Sequence, residues 1–163
     1  MRHVNYLKYL LRHKYFVFKA IVAIEGKCAV TTALAHDMSK FSPTEWFPYA
    51  ETFYTEDGSN QYCESDKFYF AWNSHQKQNK HHWQYWVLIE DCGVVRPLKM
   101  PTKFVNEMIS DWLGAGMAIT GKWEVKEWYE LNKERMVLHP ETREQVENFL
   151  TYNLPAVLKK LCR

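Results

Sequence analysis

The stretch Tyr6-Leu-Lys-Tyr-Leu-Leu-Arg-His-Lys-Tyr-Phe-Val-Phe-Lys-Ala-Ile-Val-Ala-Ile24 decides the fold. Its apolar residues Leu7, Leu10, Leu11, Tyr15, Phe18 and Val22 recur at helical intervals, with no strand-like alternation. The same pattern continues outward from it. Glu25-Gly26 stops the first helix, and a second is expected from about Cys28 to His36, ending near Ser39-Lys40. In Ser42-Pro43-Thr44-Glu45, Ser42 reads as an N-cap, Pro43 as the first helical residue and Glu45 as the closing residue of a capping box. That third helix carries Trp46, Phe47, Tyr49, Ala50 and Phe53, with an interruption or bend at Pro48.

Residues 55–65 are polar and read as a surface loop, followed by a helix over Ser65 to Gln78 with Phe68, Ala71, Trp72 and His75 on one face. Trp86 to Glu90 suits a short strand or a helical turn, and Cys92 to Lys99 a loop or small hairpin. Met100-Pro101-Thr102 launches a helix through Val105, Met108, Ile109, Trp112 and Leu113 that is expected to break around Gly114 to Gly121. Val125 to Arg135 and Pro140 to Leu161 complete the set, the last starting at His139-Pro140-Glu141-Thr142. The expectation is an all-α, single-domain bundle over residues 1–163, with about six to seven helices.

The chain has 163 residues, of which 47% are hydrophobic and 16% aromatic, enough to build a core and to wall pockets with rings. A formal net charge of only +2 gives no strong signal for nucleic-acid binding. Cys28, Cys63, Cys92 and Cys162 form no C-x-x-C pair, so reduced thiols are expected and a zinc knuckle is not. No apolar run is long enough to span a bilayer and none reads as a leader, which points to a soluble, cytoplasmic protein with no membrane partner. An oligomer is compatible with this composition.

The most informative residues for function are His36 and Asp37, two strong metal ligands side by side, with Lys40 three residues on. Neighbours on a helix point about 100° apart, so they grip one ion only over the helix edge, leaving an open face for water and substrate. Further candidate ligands are His13, His75, His81 and His82, together with Asp111. Glu107 precedes Asp111 by one helical turn, so both carboxylates fit one site. Taken singly, each has a plainer explanation: a packed core histidine, a surface His-His pair, two solvated acids. Taken together, they sit on or beside separate helices that a bundle brings to one centre. Imidazole mixed with carboxylate suits a divalent transition metal (Mn, Fe, Co, Ni or Zn), with one site and room for a second. The expected chemistry is metal-assisted hydrolysis, with Lys40 and Lys80 as candidates to neutralise a phosphate.

The chain resembles the HD-domain metal-dependent phosphohydrolase superfamily through His13, the pair His36-Asp37 and the distant Asp111. The resemblance implies an all-helical fold and a metal held by those residues. His36-Asp37-Met-Ser39-Lys40 is also similar to the His-Asp-x-Gly-Lys run of the cyclic-dinucleotide phosphodiesterase branch, with Ser39 in place of Gly and no Gly-Tyr-Pro motif. More of the chain resembles a small bacterial and phage family of unknown function. That likeness rests on Arg12-His13-Lys14, His36-Asp37-Met-Ser39-Lys40-Phe-Ser42-Pro43-Thr-Glu45, Asn79-Lys80-His81-His82-Trp-Gln-Tyr85-Trp86 and Leu138-His139-Pro140-Glu141-Thr142. A second metal would be bridged by Asp37 and held by His75 with His81 or His82.

The expected activity is therefore a metal-dependent phosphohydrolase, phosphatase or phosphodiesterase, acting on a nucleotide or other small phosphate ester. Asp37, Lys40, Glu45 and Lys80 are its catalytic candidates, and Lys40, Asn79, Lys80 and Trp83 its substrate-binding candidates. The alternatives are a metal- and nucleotide-binding sensor or inhibitor without turnover, an interaction protein whose histidines only pack, and a hydrolase of non-phosphate substrates.

Overall fold

The computed structural model describes residues 1–162, and among them the fold is all-α with one short two-stranded ribbon. Eight helical segments follow in order: α1 (Arg2–Glu25), α2 (Val30–Ala35), α3 (Pro43–Phe53), α4 (Asp66–Gln78), α5 (Thr102–Thr120), α6 (Lys126–Asn132), α7 (Pro140–Asn148) and α8 (Leu154–Leu161). The last two form one rod, joined by a π turn at Phe149–Asn153, so the stretch read as a single final helix holds together. The ribbon pairs β1 (Val87–Ile89) with β2 (Val95–Pro97) in antiparallel register, Leu88 opposite Arg96. No helix among the described residues is long and apolar enough to cross a membrane.

Helix α1 buries a different face from the one its spacing suggests. Leu10 is fully buried, but Leu7, Leu11 and Tyr15 are exposed, and the inner face is Tyr6, Leu10, His13, Val17, Ala20 and Ile21. Both faces of this helix are apolar enough to serve, so periodicity alone did not choose between them. The chosen face carries His13 inward. The main core is built on α5 through Val105, Met108, Ile109 and Leu113, against Tyr129, Val146, Leu150 and Val157 from the later helices. A second, more aromatic cluster joins Tyr6 and Leu10 of α1 to Tyr49 of α3 and Phe68 and Ala71 of α4.

Helix α5 does not break at Gly114 as expected. It runs to Thr120 and ends at Gly121, which adopts a left-handed φ of 78°. Gly114 is there for proximity: a Cβ at this position would come within 2.4 Å of the Val17 side chain and 2.6 Å of its backbone nitrogen. The missing side chain lets α1 and α5 pack backbone to backbone, and this pair of helices supplies His13, Glu107 and Asp111. Pro48 likewise lies inside a continuous α3.

The second helix is shorter than expected. It covers Val30–Ala35 between 3₁₀ turns at Lys27–Ala29 and Met38–Phe41. His36 closes it with an extended ψ of 129°, and Asp37 takes a left-handed φ of 54°, which no other non-glycine described residue does. Asp tolerates this region better than most residues because its short polar side chain can bond locally. The pair therefore sits on a sharp turn beyond the helix, not on a helix edge. The expected capping box is also absent. The Ser42 hydroxyl meets the Thr44 hydroxyl at 2.9 Å and makes no side-chain cap, while Glu45 turns inward and is fully buried.

Candidate metal centre

Five segments converge between the two cores: α1 with His13, the turn with His36 and Asp37, α4 with His75, the turn after it with His81 and His82, and α5 with Glu107 and Asp111. Asp37 is the meeting point, and its two oxygens face different partners. On the Oδ2 side, His13 Nε2 stands at 3.4 Å and His36 Nε2 at 3.5 Å. Asp111 Oδ1 closes this group, 3.2 Å from His13 Nε2 and 3.4 Å from His36 Nε2. On the Oδ1 side, His75 Nε2 stands at 3.3 Å and His81 Nε2 at 3.4 Å, with the His82 ring 4.7 Å from that of His75 and 4.3 Å from that of His81. Each tetrad offers donor atoms that all lie within 4.8 Å of one another: His13, His36, Asp37 and Asp111 in one, Asp37, His75, His81 and His82 in the other.

These separations have a simple chemical meaning. Two donor atoms about 2.1 Å from one ion, at angles of about 90–109°, stand about 3.0–3.4 Å apart. The ring nitrogens and carboxylate oxygens that face each other here are spaced as the edges of such a polyhedron. Moreover, His13 Nε2, His36 Nε2, His75 Nε2, His81 Nε2, His82 Nε2, Asp37 Oδ1 and Asp111 Oδ1 are all buried with no hydrogen-bond partner. A buried polar atom left unpaired costs about 1–3 kcal/mol, so this many at one point require something polar among them. Both tetrads fit a divalent metal ion, and the buried His/Asp clusters are able to bind one.

The ring orientations are fixed from behind. Glu107 Oε1 accepts from His36 Nδ1 at 3.0 Å and lies 3.3 Å from His81 Nδ1, so a single carboxylate backs one histidine of each tetrad. Glu45 Oε2 accepts from His75 Nδ1 at 2.7 Å. In each case Nδ1 faces a carboxylate, so once the ring is neutral its proton belongs on Nδ1 and its Nε2 lone pair is turned toward a metal, the arrangement in which a carboxylate orients a ligating imidazole. Asn79 donates to Ser39 Oγ at 3.0 Å and to the His75 carbonyl at 2.9 Å, tying the end of α4 to the turn after Asp37. The Lys14 ammonium donates to the carbonyls of Leu34 and His36 and so holds the turn from the α1 side.

Charge balance explains the protonation states. Burial opposes ionisation of Asp37, but the charges of His36 and Lys40 and the imidazoles of His13 and His75 beside it hold its carboxyl well below the usual range. Asp111 follows the same logic through His13 and His36. Burial also opposes ionisation of Glu107, yet hydrogen bonds from His36 and His81 bring it down to about 2. Burial would keep His81 neutral, but Asp37 and Glu107 outweigh it and raise the imidazole to about 10. His36 is raised too, against burial, by Asp37, Asp111 and Glu107. His82 has no such partner; burial and the neighbouring His81 hold it well below its ordinary value.

The structure brings together His13, His36, Asp37, His75, His81, His82 and Asp111, with Lys40 2.5 Å from Asp37 Oδ2. Four other candidates are not among the facing donor atoms. Glu45 lies wholly buried behind His75, out of reach of a substrate. Asn79 is committed to Ser39 and the His75 backbone. Lys80 is exposed, its ammonium 5.7 Å from the Tyr85 ring and 6.0 Å from that of Phe104, and it makes no ion pair with the cluster's carboxylates. Trp83 packs half-buried against the main core. The sequence reading gave no role to Lys14 and treated Glu107 only as a companion of Asp111; the partners of both are distant in the chain. The solvent-facing edge of the centre is formed by Asp111, Glu107 and Lys40, whose side chains are 14%, 12% and 15% exposed against 0–3% for Asp37, His13, His36, His75 and His81.

Over residues 2–152 the chain matches a family described as a family of unknown function (DUF5662), and it belongs to that family. Searches of curated proteins and of solved structures found no match.

Proposed function

We propose that the chain is a metal-dependent phosphohydrolase of the HD-domain type, acting on a nucleotide or another small phosphate ester. The observation that carries this reading is the division of Asp37 between two ligand groups, one on each carboxylate oxygen. Four histidine and carboxylate donors on one side, and three histidines with the shared carboxylate on the other, suit two transition-metal ions of the Mn, Fe, Co, Ni or Zn class. Ions held there would polarise a phosphoryl oxygen and lower the pKa of a water molecule, the chemistry that phosphate ester hydrolysis requires.

The chain's own groups supply the rest. Lys40 carries a fixed positive charge at the open edge: burial works against its ammonium, but Asp37 and Asp111 more than offset this and keep it protonated. An ammonium at that edge stabilises the charge that builds on phosphoryl oxygens in the transition state. Glu107 and Glu45 keep three imidazoles in the ligating tautomer. The exposed cysteines, none of them bonded to another among the described residues, support a reducing, cytoplasmic setting as part of this reading.

The test is a screen of nucleoside monophosphates, phosphodiesters and a generic aryl phosphate, with Mn, Co, Ni, Fe and Zn added singly to the metal-stripped protein. Phosphate or nucleotide release by the wild type, lost in Asp37→Asn, is expected. Asn keeps the left-handed backbone that Asp37 requires while removing the bridging charge. Equal activity in the variant would rule the proposal out. Metal and nucleotide binding with no turnover under any metal would favour the sensor or inhibitor alternative.

A further inference from the structure

Apart from the metal centre, the fold holds a cavity of about 580 Å³ that reaches the His13 side of α1. Tyr9 stands between it and the metal centre. Its ring lines the cavity and stacks on the His13 ring with centroids 6.1 Å apart. Arg12 and Lys8 continue the wall along α1, one turn apart, and Ile119 at the end of α5 forms the opposite rim. Phe53 and Tyr54 add two further rings from the end of α3.

Three properties of this space identify what it takes. First, it is cationic: Lys8 and Arg12 line it, no carboxylate does, and neither cation has a salt-bridge partner among the described residues. The recorded engagements of Arg12 are a 3.4 Å hydrogen bond to the Met117 carbonyl and the face of Phe16 at 5.7 Å, which leave its charge unneutralised. Second, three rings line it, those of Tyr9, Phe53 and Tyr54. Third, it is already formed. The loop that floors it is pinned by Arg2 to the Tyr54 carbonyl at 2.8 Å, by Asn5 to the Gly58 carbonyl at 2.8 Å and by Gln61 to the Glu51 carbonyl at 2.7 Å. In Asn5 and Gln61, which both line the cavity, the amide nitrogens make these bonds, and no hydrogen bond among the described residues engages their amide oxygens. The volume is that of a pocket for a small organic ligand, typically about 300–1,000 Å³.

We infer that this cavity binds the nucleoside portion and a second anionic group of a nucleotide whose scissile phosphate lies at the metal centre. Lys8 and Arg12 neutralise the anionic group, Tyr9 and Tyr54 offer faces to the base, and Asn5 and Gln61 accept from its amino or sugar hydroxyl donors. The order along α1 fits: His13 holds the metal end, Arg12 and Tyr9 come next, then Lys8, then Asn5, over about 12 Å of helix at 1.5 Å per residue. The substrate class is thus a nucleotide with more than one anionic group, such as a nucleoside diphosphate, in preference to a phosphate ester of any shape. The inference rests on the phosphohydrolase reading for the placement of the scissile phosphate alone.

Binding tests it without turnover. The probe is α,β-methylene ADP, whose P–C–P bridge resists hydrolysis, titrated into metal-loaded protein beside AMP, adenosine and inorganic phosphate. The wild type is expected to bind the diphosphate analogue at least tenfold more tightly than either AMP or inorganic phosphate. Lys8→Gln with Arg12→Gln should remove most of that preference while metal content stays at the wild-type level. Ile119→Trp, which fills the cavity from an exposed rim position and leaves every charge in place, should weaken binding of the analogue by a similar factor. Unchanged affinity in both variants, or a wild type that binds inorganic phosphate as tightly as the analogue, would overturn the inference. The two readings fail separately. Charge-dependent nucleotide binding with no hydrolysis of any ester refutes the phosphohydrolase and leaves the cavity assigned. Metal-dependent hydrolysis of nucleotides with KM unchanged in both variants refutes the cavity and leaves the phosphohydrolase standing.

Discussion

The two halves of the centre share one carboxylate but are built for different work. The half on Asp37 Oδ2 takes its donors from α1, the turn and α5, and includes Asp111, whose side chain is 14% exposed; Lys40 stands at the same edge. The half on Asp37 Oδ1 is made of His75, His81 and the partly buried His82; His75 has no side-chain exposure and rests on the wholly buried Glu45. In the outer half, His13 has no partner on its Nδ1. In the inner half, a 2.7 Å bond to Glu45 fixes His75. The difference teaches where each function sits. Under the proposed function, the half on Asp37 Oδ1 would hold the tighter ion, and the half on Asp37 Oδ2, with Lys40 at its edge, would meet substrate.

The largest expected effect removes what the halves share: Asp37→Asn should reduce bound metal to near zero and hydrolysis below detection, while circular dichroism keeps its helical signature. Next come the variants that separate them. His13→Ala should cost one metal equivalent and abolish turnover, leaving the inner ion in place. His75→Ala should cost the other equivalent. If both variants lost all metal, the two halves would be one cooperative site and the comparison would fail. Smaller effects come from the carboxylates behind the rings. Glu45→Gln should weaken only the inner ion, by about 10–100-fold, whereas Glu107→Gln should weaken both, because Glu107 lies against His36 and His81 alike. Titration of each equivalent by isothermal calorimetry distinguishes these patterns.

The smallest effect is the pH dependence. In the metal-free protein His81 is raised to about 10 and is therefore protonated at neutral pH. A raised imidazole stabilises the metal-free fold fully below its unfolded value of about 6.5, and that stabilisation is lost as pH rises through about 10. A metal needs the neutral ring, so binding expels this proton and affinity rises with pH. The gain should be about tenfold per pH unit between pH 7 and 9 for the inner ion, with one proton released per ion in buffers of differing ionisation enthalpy. Affinity that is flat across this range would contradict the protonation pattern of the inner half.

Much of the scaffold was legible in the chain. Long apolar-periodic stretches gave α1, α4, α5 and the final rod, and Ser65 caps α4 as a start signal should, accepting from the Phe68 backbone at 3.2 Å. The cluster itself was legible as a set of candidates: the histidines and aspartates singled out in the chain are the ones the structure brings together. What stayed hidden depends on long-range contact. The Ser-x-x-Glu spacing at Ser42 to Glu45 is that of a capping box, but a buried imidazole thirty positions later offers the Glu45 carboxylate a stronger partner than a backbone N–H. Gly114 looked like a helix breaker because its use, the approach of Val17, lies on another helix. The left-handed turn at Asp37 has no glycine to announce it. The cavity beside Tyr9 needs α1, the end of α3, the loop after it and the end of α5 to meet, and no local pattern records that meeting.

Counting the ions tests the account most directly. Protein purified without chelator and reconstituted with Mn, Co or Zn, then freed of excess metal, should carry two equivalents per chain by elemental analysis, and Asp37→Asn close to none. Wild-type protein that retains no metal after reconstitution, with the same thermal stability as Asp37→Asn, would contradict it.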